Sequence, residues 1–470
     1  MKKTNLAFAS GAMLLAATGC NENKLPEKPM NVIYILADDL GYGDIGCYGQ
    51  EVIKTPNIDK MAAEGMRFTQ HYAGCTVSAP SRGSLMTGQH TGHTRIRGNM
   101  EIKPEGQFPM EDNTFTIAKL MKQAGYTTGL FGKWGIGHPT SESTPPKMGF
   151  DDFYGYNCQR MAHSYYPPHL WHVDEKVILE GNLEGKREDY SQDLVHEHAI
   201  NFIRENKDKP FFGMFTYTLP HAELSLPHDS IYAMYENMFD ETPHNGFDGY
   251  RAVEKPRATF AAMVTRLDWY VGEIFKELKA QGLDKNTMVI FTSDNGPHRE
   301  GGANPDFFKS YGPLKGSKRD VYEGGIRVPM IAWAPEMIKG GIENDHISAF
   351  WDVMPTFAEL TGQKLDTATD GISFLPTLFS WKGQQQHEYL YWEFHELRGR
   401  QAIRKGNWKA MRQNISSAEG ASFELYDLSK DLHEDNNVAA EYPEIAEELN
   451  KMMDEVRVPS EYFNFGFKKQ

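Results

Sequence analysis

Two apolar runs of the sequence each end in acidic and amide side chains. The runs are NVIYILADD, residues 31–39, and TMVIFTSDNG, residues 287–296. A continuous apolar run rich in β-branched residues is typical of a strand that is buried on both faces. Strands of this kind need helices on both sides of their sheet. The two runs therefore predict an α/β fold.

The rest of the chain supplies the other elements of such a fold. Between Ala258 and Leu283, apolar residues recur at helical spacing and form one amphipathic stripe, while TTGLFGKWG and KPFFGMFTYTLPH resemble further strands. We therefore expect a mixed or parallel sheet covered by helices, within a large α/β domain over residues 30–380. Strand patterns at 389–412 and a helical pattern at Pro443–Val456 predict a smaller C-terminal α+β domain over 385–470, built of an antiparallel sheet plus a helix.

The first twenty residues predict export from the cytoplasm. Two lysines precede an apolar stretch at 6–17 that is too short to cross a bilayer, and Ala-Thr-Gly-Cys follows. This resembles a bacterial lipoprotein signal, with a signal peptide at 1–19, lipidation of Cys20 and a tether at 20–29. The alternative is a plain secretory signal cleaved near Gly19. We expect a lipoprotein of the periplasm or outer-membrane surface of a Gram-negative bacterium, which meets the membrane only through its lipid.

Charge and cysteine content exclude several classes of site. The net charge of −15 argues against a broad nucleic-acid footprint, so an anion would need a local basic pocket or a metal ion. Besides Cys20, the chain has three cysteines, none in a CxxC spacing. This argues against a disulfide framework and against a zinc site built on thiolates.

The polar ends of the two apolar runs predict a metal site. Asp38 and Asp39 end the first run, and Asp294 and Asn295 end the second. Ligands of open α/β sheets sit at the carboxyl ends of the strands, and adjacent carboxylates repel each other unless a cation lies between them. Oxygen donors suit Ca²⁺ or Mg²⁺. Both segments also contain residues that favour turns, so either pair alone could simply belong to a turn. Two pairs of oxygen donors, each at the end of a strand, favour one Ca²⁺ per chain.

Several motifs, taken in order, resemble the type I sulfatases of the alkaline phosphatase superfamily. ADDLGYGDIGCYG resembles the opening of that family, SAPSRGSLMTG at 78–88 its signature, and GKWGIG, TSDNGPH and LKGSKRDVYEGGIRVP follow in family order. Several motifs in one order are far more specific than any single motif. The resemblance implies an alkaline-phosphatase-like mixed sheet between helices, and a sulfuric ester hydrolase.

The resemblance also identifies the nucleophile. In the family, the first residue of the signature is oxidised to formylglycine, and here that residue is Ser78, which implies a serine-type maturation enzyme as a partner. Cys75 lacks Pro and Arg at the required positions and is expected to be a small buried filler. The hydrated aldehyde attacks sulfur and expels the alcohol, and its second hydroxyl then eliminates sulfate.

Other residues receive roles from the same resemblance. Arg82, expected in the first turn of a helix, steadies the formylglycine, and the metal binds both the formylglycine and the sulfate. Lys133 and Lys318 bind the sulfate, with Lys315 as a nearby alternative to Lys318. His221 follows a predicted strand and protonates the leaving oxygen.

One segment departs from the family pattern. The family has Gly-Lys-Trp-His-x-Gly, whereas this chain has Gly135 at the histidine position. That histidine is credited with helping the hemiacetal collapse. His138 and His298 lie near matching motifs and are candidates to replace it, although each could equally be an ordinary polar loop residue.

A loop at 155–171 predicts the substrate class. It gathers aromatic residues with Arg160 and His163, which suits sugar rings and their hydroxyls, although a packed surface loop would have the same composition. His298 and His395 are further candidates for substrate contact. The loop at 155–171 and the segment YWEFHE at 391–396 are similar to segments of carbohydrate sulfatases of gut-type bacteria. This similarity implies a sulfated glycan, for example one with galactose or N-acetylgalactosamine sulfates.

Two other functions fit the sequence less well. A phosphatase or phosphodiesterase of the same superfamily would use Ser78 directly, but such enzymes carry a richer two-metal ligand set. A surface lipoprotein that binds glycans without catalysis would not need several residues that this chain retains: Asp38, Asp39, Ser78, Arg82, Lys318 and His221.

Overall fold

The computed structural model describes residues 24–247, 249–417 and 419–465. The predicted signal peptide and Cys20 lie outside these residues. Within the described ranges, no helix has the length and apolar character that crossing a bilayer requires.

Fifteen strands form two sheets in the described part of the chain. The strands are β1 (Asn31–Ala37), β2 (Met66–Tyr72), β3 (Thr127–Lys133), β4 (Asp152–Tyr156), β5 (His169–His172), β6 (Glu175–Ile178), β7 (Phe211–Thr216), β8 (Thr287–Ser293), β9 (Arg327–Trp333), β10 (Ile342–Asn344), β11 (Ser348–Ala349), β12 (Leu390–Phe394), β13 (Arg400–Lys405), β14 (Trp408–Gln413) and β15 (Ser422–Asp427).

Helices lie between these strands and cover the sheets. The α-helices are α1 (Pro56–Glu64), α2 (Ser78–Thr87), α3 (Ile117–Gln123), α4 (Ser191–Glu205), α5 (Ser230–Ala233), α6 (Pro256–Ala280), α7 (Pro305–Phe308), α8 (Glu323–Ile326), α9 (Val353–Thr361), α10 (Leu375–Leu378) and α11 (Pro443–Glu455). Short 3-10 segments occupy Gly46–Tyr48, Met161–His163, Glu180–Gly185, Asp284–Asn286 and Phe350–Asp352.

The large sheet has the order β10-β2-β9-β8-β1-β7-β3-β4-β5-β6, with β11 paired to β2. Its centre, from β8 through β1, β7 and β3 to β4, is parallel, whereas β9 runs antiparallel to β8. The predicted mixed α/β sheet is therefore confirmed. Because the central strands are parallel, the residues that follow β1, β3, β7 and β8 all emerge at one edge of the sheet.

The position of β1 between two hydrophobic cores explains why its sequence is apolar throughout. Residues 33, 35 and 37 pack into a core that includes α1, α4 and α6, and residues 32, 34 and 36 pack into a second core that includes α3 and α9. All of these side chains are fully buried. A strand that contacts a core on both faces cannot alternate apolar with polar residues.

The C-terminal segment forms the predicted antiparallel sheet with a helix. Strands β12 to β15 pair in sequence order, and α11 packs on one face through Leu449 and Met453. The other face contacts the large domain through Trp392, which lies against Tyr72 and Trp351.

A buried ion cluster also joins the two sheets. The ammonium of Lys409, in β14, lies 2.9 Å from carboxylate oxygens of both Glu323, in α8, and Glu434, and all three side chains are fully buried. Burial raises the pKa of Glu323, but Lys409 and two arginines outweigh this and lower it to about 2. Burial raises the pKa of Glu434 to about 7. Lys409 is therefore the central cation of a contact between the domains.

We predict that Lys409→Met destabilises the protein by about 3 kcal/mol, because it leaves Glu323 buried without its nearest cation. Urea unfolding followed by tryptophan fluorescence would measure this. Lys405→Met is the matched control, since Lys405 pairs with Glu448 at the surface and should change the unfolding midpoint far less. Equal midpoints for Lys409→Met and wild type would contradict the assignment.

Candidate active site

The ends of β1 and β8 bring four oxygen-bearing side chains together. Asp38, Asp39, Asp294 and Asn295 are all fully buried. The Asp39 N–H donates to Asp294 Oδ1 at 3.1 Å, and Asn295 Nδ2 donates to Asp39 Oδ1 at 2.6 Å. Asp39 has φ 62°, a left-handed conformation that costs a non-glycine residue energy and occurs at functional sites. The predicted group of metal ligands is therefore assembled at one point.

Helix α2 brings Ser78 and Arg82 to the same point. Ser78 is the first residue of the helix and is 3% exposed, and its Oγ donates to Asp38 Oδ1 at 3.1 Å. Arg82 was expected in the first turn, but the helix begins four residues earlier, at Ser78, so Arg82 lies in the second turn. Cys75 is fully buried away from this contact, packed against Val77 and Phe394.

Arg82 links the strand ends to one another. Its Nε donates to Asp294 Oδ2 at 3.0 Å, its Nη2 to Asp38 Oδ2 at 3.3 Å and its Nη1 to the carbonyl of Lys133 at 2.7 Å. The planar guanidinium satisfies three acceptors from three strand ends with N–H groups whose directions are fixed in one plane.

Two lysines complete the charge cluster. Lys133, the last residue of β3, forms a short ion pair with Asp38 and donates to Ser78 Oγ at 3.2 Å. Lys318 Nζ lies 2.8 Å from Asp39 Oδ2. The alternative, Lys315, points elsewhere and donates to the carbonyl of Glu434.

Burial and charge perturb these groups in opposite directions. Burial alone would raise the pKa of the Asp38 carboxyl, but the surrounding cations, led by Lys133, hold that pKa well below its usual value. For Asp294, burial and the charge of Asp38 raise the pKa to about 6. The cations thus compensate Asp38 fully and Asp294 only in part.

His221 follows β7 and faces Lys318. Its Nδ1 contacts the Ala222 carbonyl in a short bond, which assigns the hydrogen to Nδ1, and Nε2 lies 3.0 Å from Lys318 Nζ. Burial and the Lys318 ammonium hold the pKa of His221 well below its usual value. Nε2 of the neutral ring is therefore the atom that can accept and release a proton.

His298 and His138, the other two histidines near the family motifs, have different surroundings from His221. His298 stacks on His221 with ring centroids 5.7 Å apart, and its Nε2 contacts the Pro220 carbonyl at 3.0 Å while its Nδ1 accepts the Glu300 N–H at 3.2 Å. Both ring nitrogens are therefore engaged. His138 contacts Thr140 in a loop. Neither His138 nor His298 lines the cavity described next.

A cavity of about 390 Å³ opens above this cluster. Ser78, His221 and Lys318 line it, and so do Arg160 and His163 from the loop that was predicted to contact substrate. His395 does not line it: its ring stacks on Phe465 with centroids 4.2 Å apart, and its Nε2 contacts Glu393. The next residue, Glu396, lines the cavity instead.

Gly135 faces the same region. It has φ +75°, and a Cβ at this position would lie 2.5 Å from Nε2 of Gln159. Gln159 Nε2 donates to the Gly135 carbonyl at 3.2 Å, and Gln159 lines the cavity. A side chain at position 135 would require Gln159 to move.

Comparison with known proteins identifies this arrangement. Residues 30–363 match the family described as Sulfatase, and residues 316–459 match the one described as N-sulphoglucosamine sulphohydrolase, C-terminal. The N-acetylgalactosamine-6-O-sulfatase of Bacteroides thetaiotaomicron is 30% identical and covers 96% of this chain and 98% of its own length. The chain belongs to the sulfatase family. The sulfatase is accordingly a sulfuric ester hydrolase with an alkaline-phosphatase-like fold.

Other relatives agree with this assignment. Human arylsulfatase A is 31% identical over 90% of the sulfatase and 87% of its own length. Among solved structures, Ps i-CgsB in complex with k-i-k-neocarrahexaose has a TM-score of 0.77 at 29% identity, covering 91% of this chain and 93% of that chain.

The residues of this sulfatase fit the divalent cation that the family generally uses. Asn295 Oδ1 is buried and has no hydrogen-bond partner within the described ranges. Asp38, Asp39 and Asp294 add fully buried carboxylates beside it. An all-oxygen donor set suits a hard cation.

Sequence reasoning missed Glu300 and Arg319. Glu300 Oε2 lies 2.9 Å from Lys318 Nζ, and its Oε1 forms an ion pair with Arg319. Both residues line the cavity. Glu300 comes two residues after the TSDNGPH motif and Arg319 directly follows Lys318, so their proximity to matching motifs was the available signal.

Proposed function

We propose that this sulfatase hydrolyses sulfate esters of glycans, with N-acetylgalactosamine 6-sulfate as the first candidate substrate. The observation that carries this is the cavity above Ser78, whose walls hold Gln159, Arg160, His163 and Glu300. Polar side chains around a concave site can bind sugar hydroxyls. The relative that covers almost the whole chain is named an N-acetylgalactosamine-6-O-sulfatase. A screen of defined sulfated mono- and disaccharides, scored for released sulfate, tests the substrate.

Ser78 is the residue that we propose is converted to formylglycine by a serine-type maturation enzyme. Its Oγ lies between Asp38 Oδ1 and Lys133 Nζ, at 3.1 and 3.2 Å. Asp38 can accept a hydrogen bond from a hydroxyl at this position and so orient it, and Lys133 can stabilise negative charge that develops there. Once formed, the hydrated aldehyde supplies the nucleophile and the second hydroxyl that releases sulfate.

Asp38, Asp39, Asp294 and Asn295 would hold one Ca²⁺. Ca²⁺ accepts several carboxylate and amide oxygens in flexible geometry, whereas Mg²⁺ demands a stricter octahedron. The cation would supply positive charge for binding of the sulfate. Lys133 and Lys318, now paired with Asp38 and Asp39, provide ammonium groups on either side of that position.

His221 is proposed to protonate the departing sugar oxygen. Its Nδ1–H is held by the Ala222 carbonyl, which directs Nε2 toward Lys318 at 3.0 Å. Because the neutral ring has no proton on Nε2, it would take one from the Lys318 ammonium and pass it to the leaving oxygen as the S–O bond breaks. Its position on the cavity wall supports this role.

We predict that Ser78, not Cys75, carries the modification. Protein co-expressed with a serine-type maturation enzyme should contain a peptide in which Ser78 has lost two hydrogens, measured by mass spectrometry. Ser78→Ala should be inactive, and Ser78→Cys should become active with a cysteine-type enzyme that fails on wild type. An aldehyde at Cys75, or activity in Ser78→Ala, would refute this assignment.

The cation is tested by chelation. EDTA should lower the thermal midpoint and remove activity, and Ca²⁺ should restore both more fully than Mg²⁺. Asp294→Ala should remain folded but lose activity and the Ca²⁺-dependent shift, because the site loses a carboxylate. Asp366→Ala, at an exposed position, is the control. If EDTA changes neither property under conditions that strip bound metal, the assignment is wrong.

His221→Ala should slow hydrolysis of a sulfated sugar by about 10²–10⁴-fold, and slow nitrophenyl sulfate far less, because nitrophenolate leaves without a proton. Steady-state kinetics on both substrates measure this. If hydrolysis of both substrates slows to the same extent, His221 also assists the later release of sulfate. In the family pattern a histidine assists that step, and this chain has Gly135 in its place. Near-wild-type rates on both would exclude His221 from either step.

Lipidation of Cys20 is proposed to hold the exported enzyme at the membrane, in the periplasm or at the outer-membrane surface. Cells fed an alkyne-labelled fatty acid should label the wild-type protein and not Cys20→Ser. Equal labelling of both proteins would contradict this proposal.

A further inference from the structure

Gly135, at the histidine position of the family pattern, leaves a space that another side chain fills. A Cβ atom at position 135 would lie 2.5 Å from Nε2 and 3.1 Å from Cδ of Gln159, and 3.6 Å from Cε of Lys133. Gly135 is buried, and Gln159 is 8% exposed. The carboxamide of Gln159 therefore lies where the side chain of a histidine at position 135 would begin. A side chain at position 135 and the present placement of Gln159 exclude each other.

The backbone around Gly135 fixes this placement. Past the ends of β3 and β4 the two segments stay paired: the Trp134 N–H donates to the Tyr156 carbonyl at 2.9 Å, and the Gly135 N–H donates to the Asn157 carbonyl at 3.1 Å. Gln159 follows two residues later, and its Nε2 donates to the Gly135 carbonyl at 3.2 Å. The amide is thus held in register with the end of β3.

The end of β3 is the part of the site that contacts Ser78. Lys133, the last residue of β3, donates from Nζ to Ser78 Oγ at 3.2 Å, and Gln159 lines the same cavity as Ser78. His221 belongs to another part of the cluster, with its Nε2 3.4 Å from Asp39 Oδ2. Gln159 is therefore a polar group of the active site that is distinct from the proposed acid.

The amide of Gln159 has unused hydrogen-bonding capacity. A glutamine side chain offers two N–H donors and a carbonyl acceptor. Among the described residues, its side chain forms one hydrogen bond, and because the partner is the Gly135 carbonyl, the nitrogen is assigned to that side. This leaves Oε1 without a donor from the described part of the chain. Such an oxygen can accept a hydrogen bond from a hydroxyl and orient it, but an amide is not basic enough to take the proton.

We propose that Gln159 takes the place of the histidine of the family pattern in the release of sulfate from the enzyme. This rests on the proposed conversion of Ser78 to formylglycine and deepens it. After the alcohol has left, the carbon derived from Ser78 carries one hydroxyl and the sulfate. The hydroxyl donates to Gln159 Oε1. Its O–H bond breaks as the aldehyde C=O bond forms, sulfate leaves with the electron pair of the C–O bond, and the proton passes to solvent water.

Nitrophenyl sulfate separates the two halves of the reaction, because nitrophenolate leaves before sulfate does. For matured Gln159→Ala we expect a burst of nitrophenolate and then a kcat about tenfold below that of wild type, the effect of one lost hydrogen bond. Mass spectrometry of rapidly quenched protein should show more enzyme carrying one SO₃ group than in wild type. Gln107→Ala is the control, since Gln107 is another buried glutamine of the same cavity, and it should show neither effect.

Two further results decide between this role and substrate binding. Adding Gly135→His to Gln159→Ala restores the family arrangement and should recover kcat and remove the sulfated protein. A raised KM for Gln159→Ala, with kcat unchanged and no sulfated protein, would mean that Gln159 only binds substrate and would overturn the inference.

The stability of unmatured protein tests the shared space without any activity. Gly135→His alone should lower the thermal midpoint, because its side chain overlaps the Gln159 amide. Gln159→Ala in the same chain should recover much of that loss. If the changes in midpoint for the two substitutions simply add, the two side chains do not compete for one space, and the inference is wrong.

Failure of the proposed function would look different. A substrate other than a glycan would leave the nitrophenyl sulfate results unchanged. Active enzyme with an unmodified Ser78 peptide would overturn both the formylglycine proposal and this inference. Active enzyme with modified Ser78, and no sulfated protein in Gln159→Ala, would overturn this inference alone. If wild type cleaves no sulfate ester, the proposed function fails, and the role of Gln159 in sulfate release fails with it, while the stability measurements still report the shared space.

Discussion

The pairing of buried carboxylates with cations from distant segments organises this molecule. Asp38 and Asp39 follow the central strand of the large sheet and are fully buried. Carboxylates in that environment require charge partners. Arg82 comes from α2, Lys133 from the end of β3 and Lys318 from the loop before α8. Each cation therefore fixes the position of a different element, and the same contacts that satisfy the carboxylates assemble the active site.

The small C-terminal sheet takes part in this arrangement although it holds none of the charged cluster. Lys318 and Arg319 lie just before Glu323, which is anchored to Lys409 of β14. Arg400, in β13, also pairs with Asp320 at 2.7 Å. The loop that carries Lys318 is thus held from both sides by the small sheet. This gives the C-terminal segment a role in the geometry of the cavity.

The parts of the site that follow strands were predictable, whereas the loops were predicted only in part: Arg160, His163 and Lys318 were found, and other loop residues were not. Asp38, Lys133 and Asp294 end apolar runs, and parallel pairing brings such ends together whatever the loops do. The sequence does not locate the start of α2 to within one turn. For this reason Arg82 was predicted in the first turn of the helix, whereas it lies in the second. Glu300 and Gln159 belong to irregular segments with no periodicity, so only the tertiary structure shows them on the cavity wall. The same reason explains why Glu396, and not His395, lines it.

Sequence separation within the charged cluster limits how this enzyme can be divided. Asp39 contacts Asn295 and Lys318, which lie 256 and 279 positions further along the chain. Forming contacts of such long range closes large loops, which costs conformational entropy and slows folding. The contacts offset that cost only when both partners are present. No fragment that ends before Lys318 contains the whole cluster. The catalytic centre therefore needs residues from Asp38 to Lys318 in one folded domain, and it cannot be transplanted as a short continuous segment.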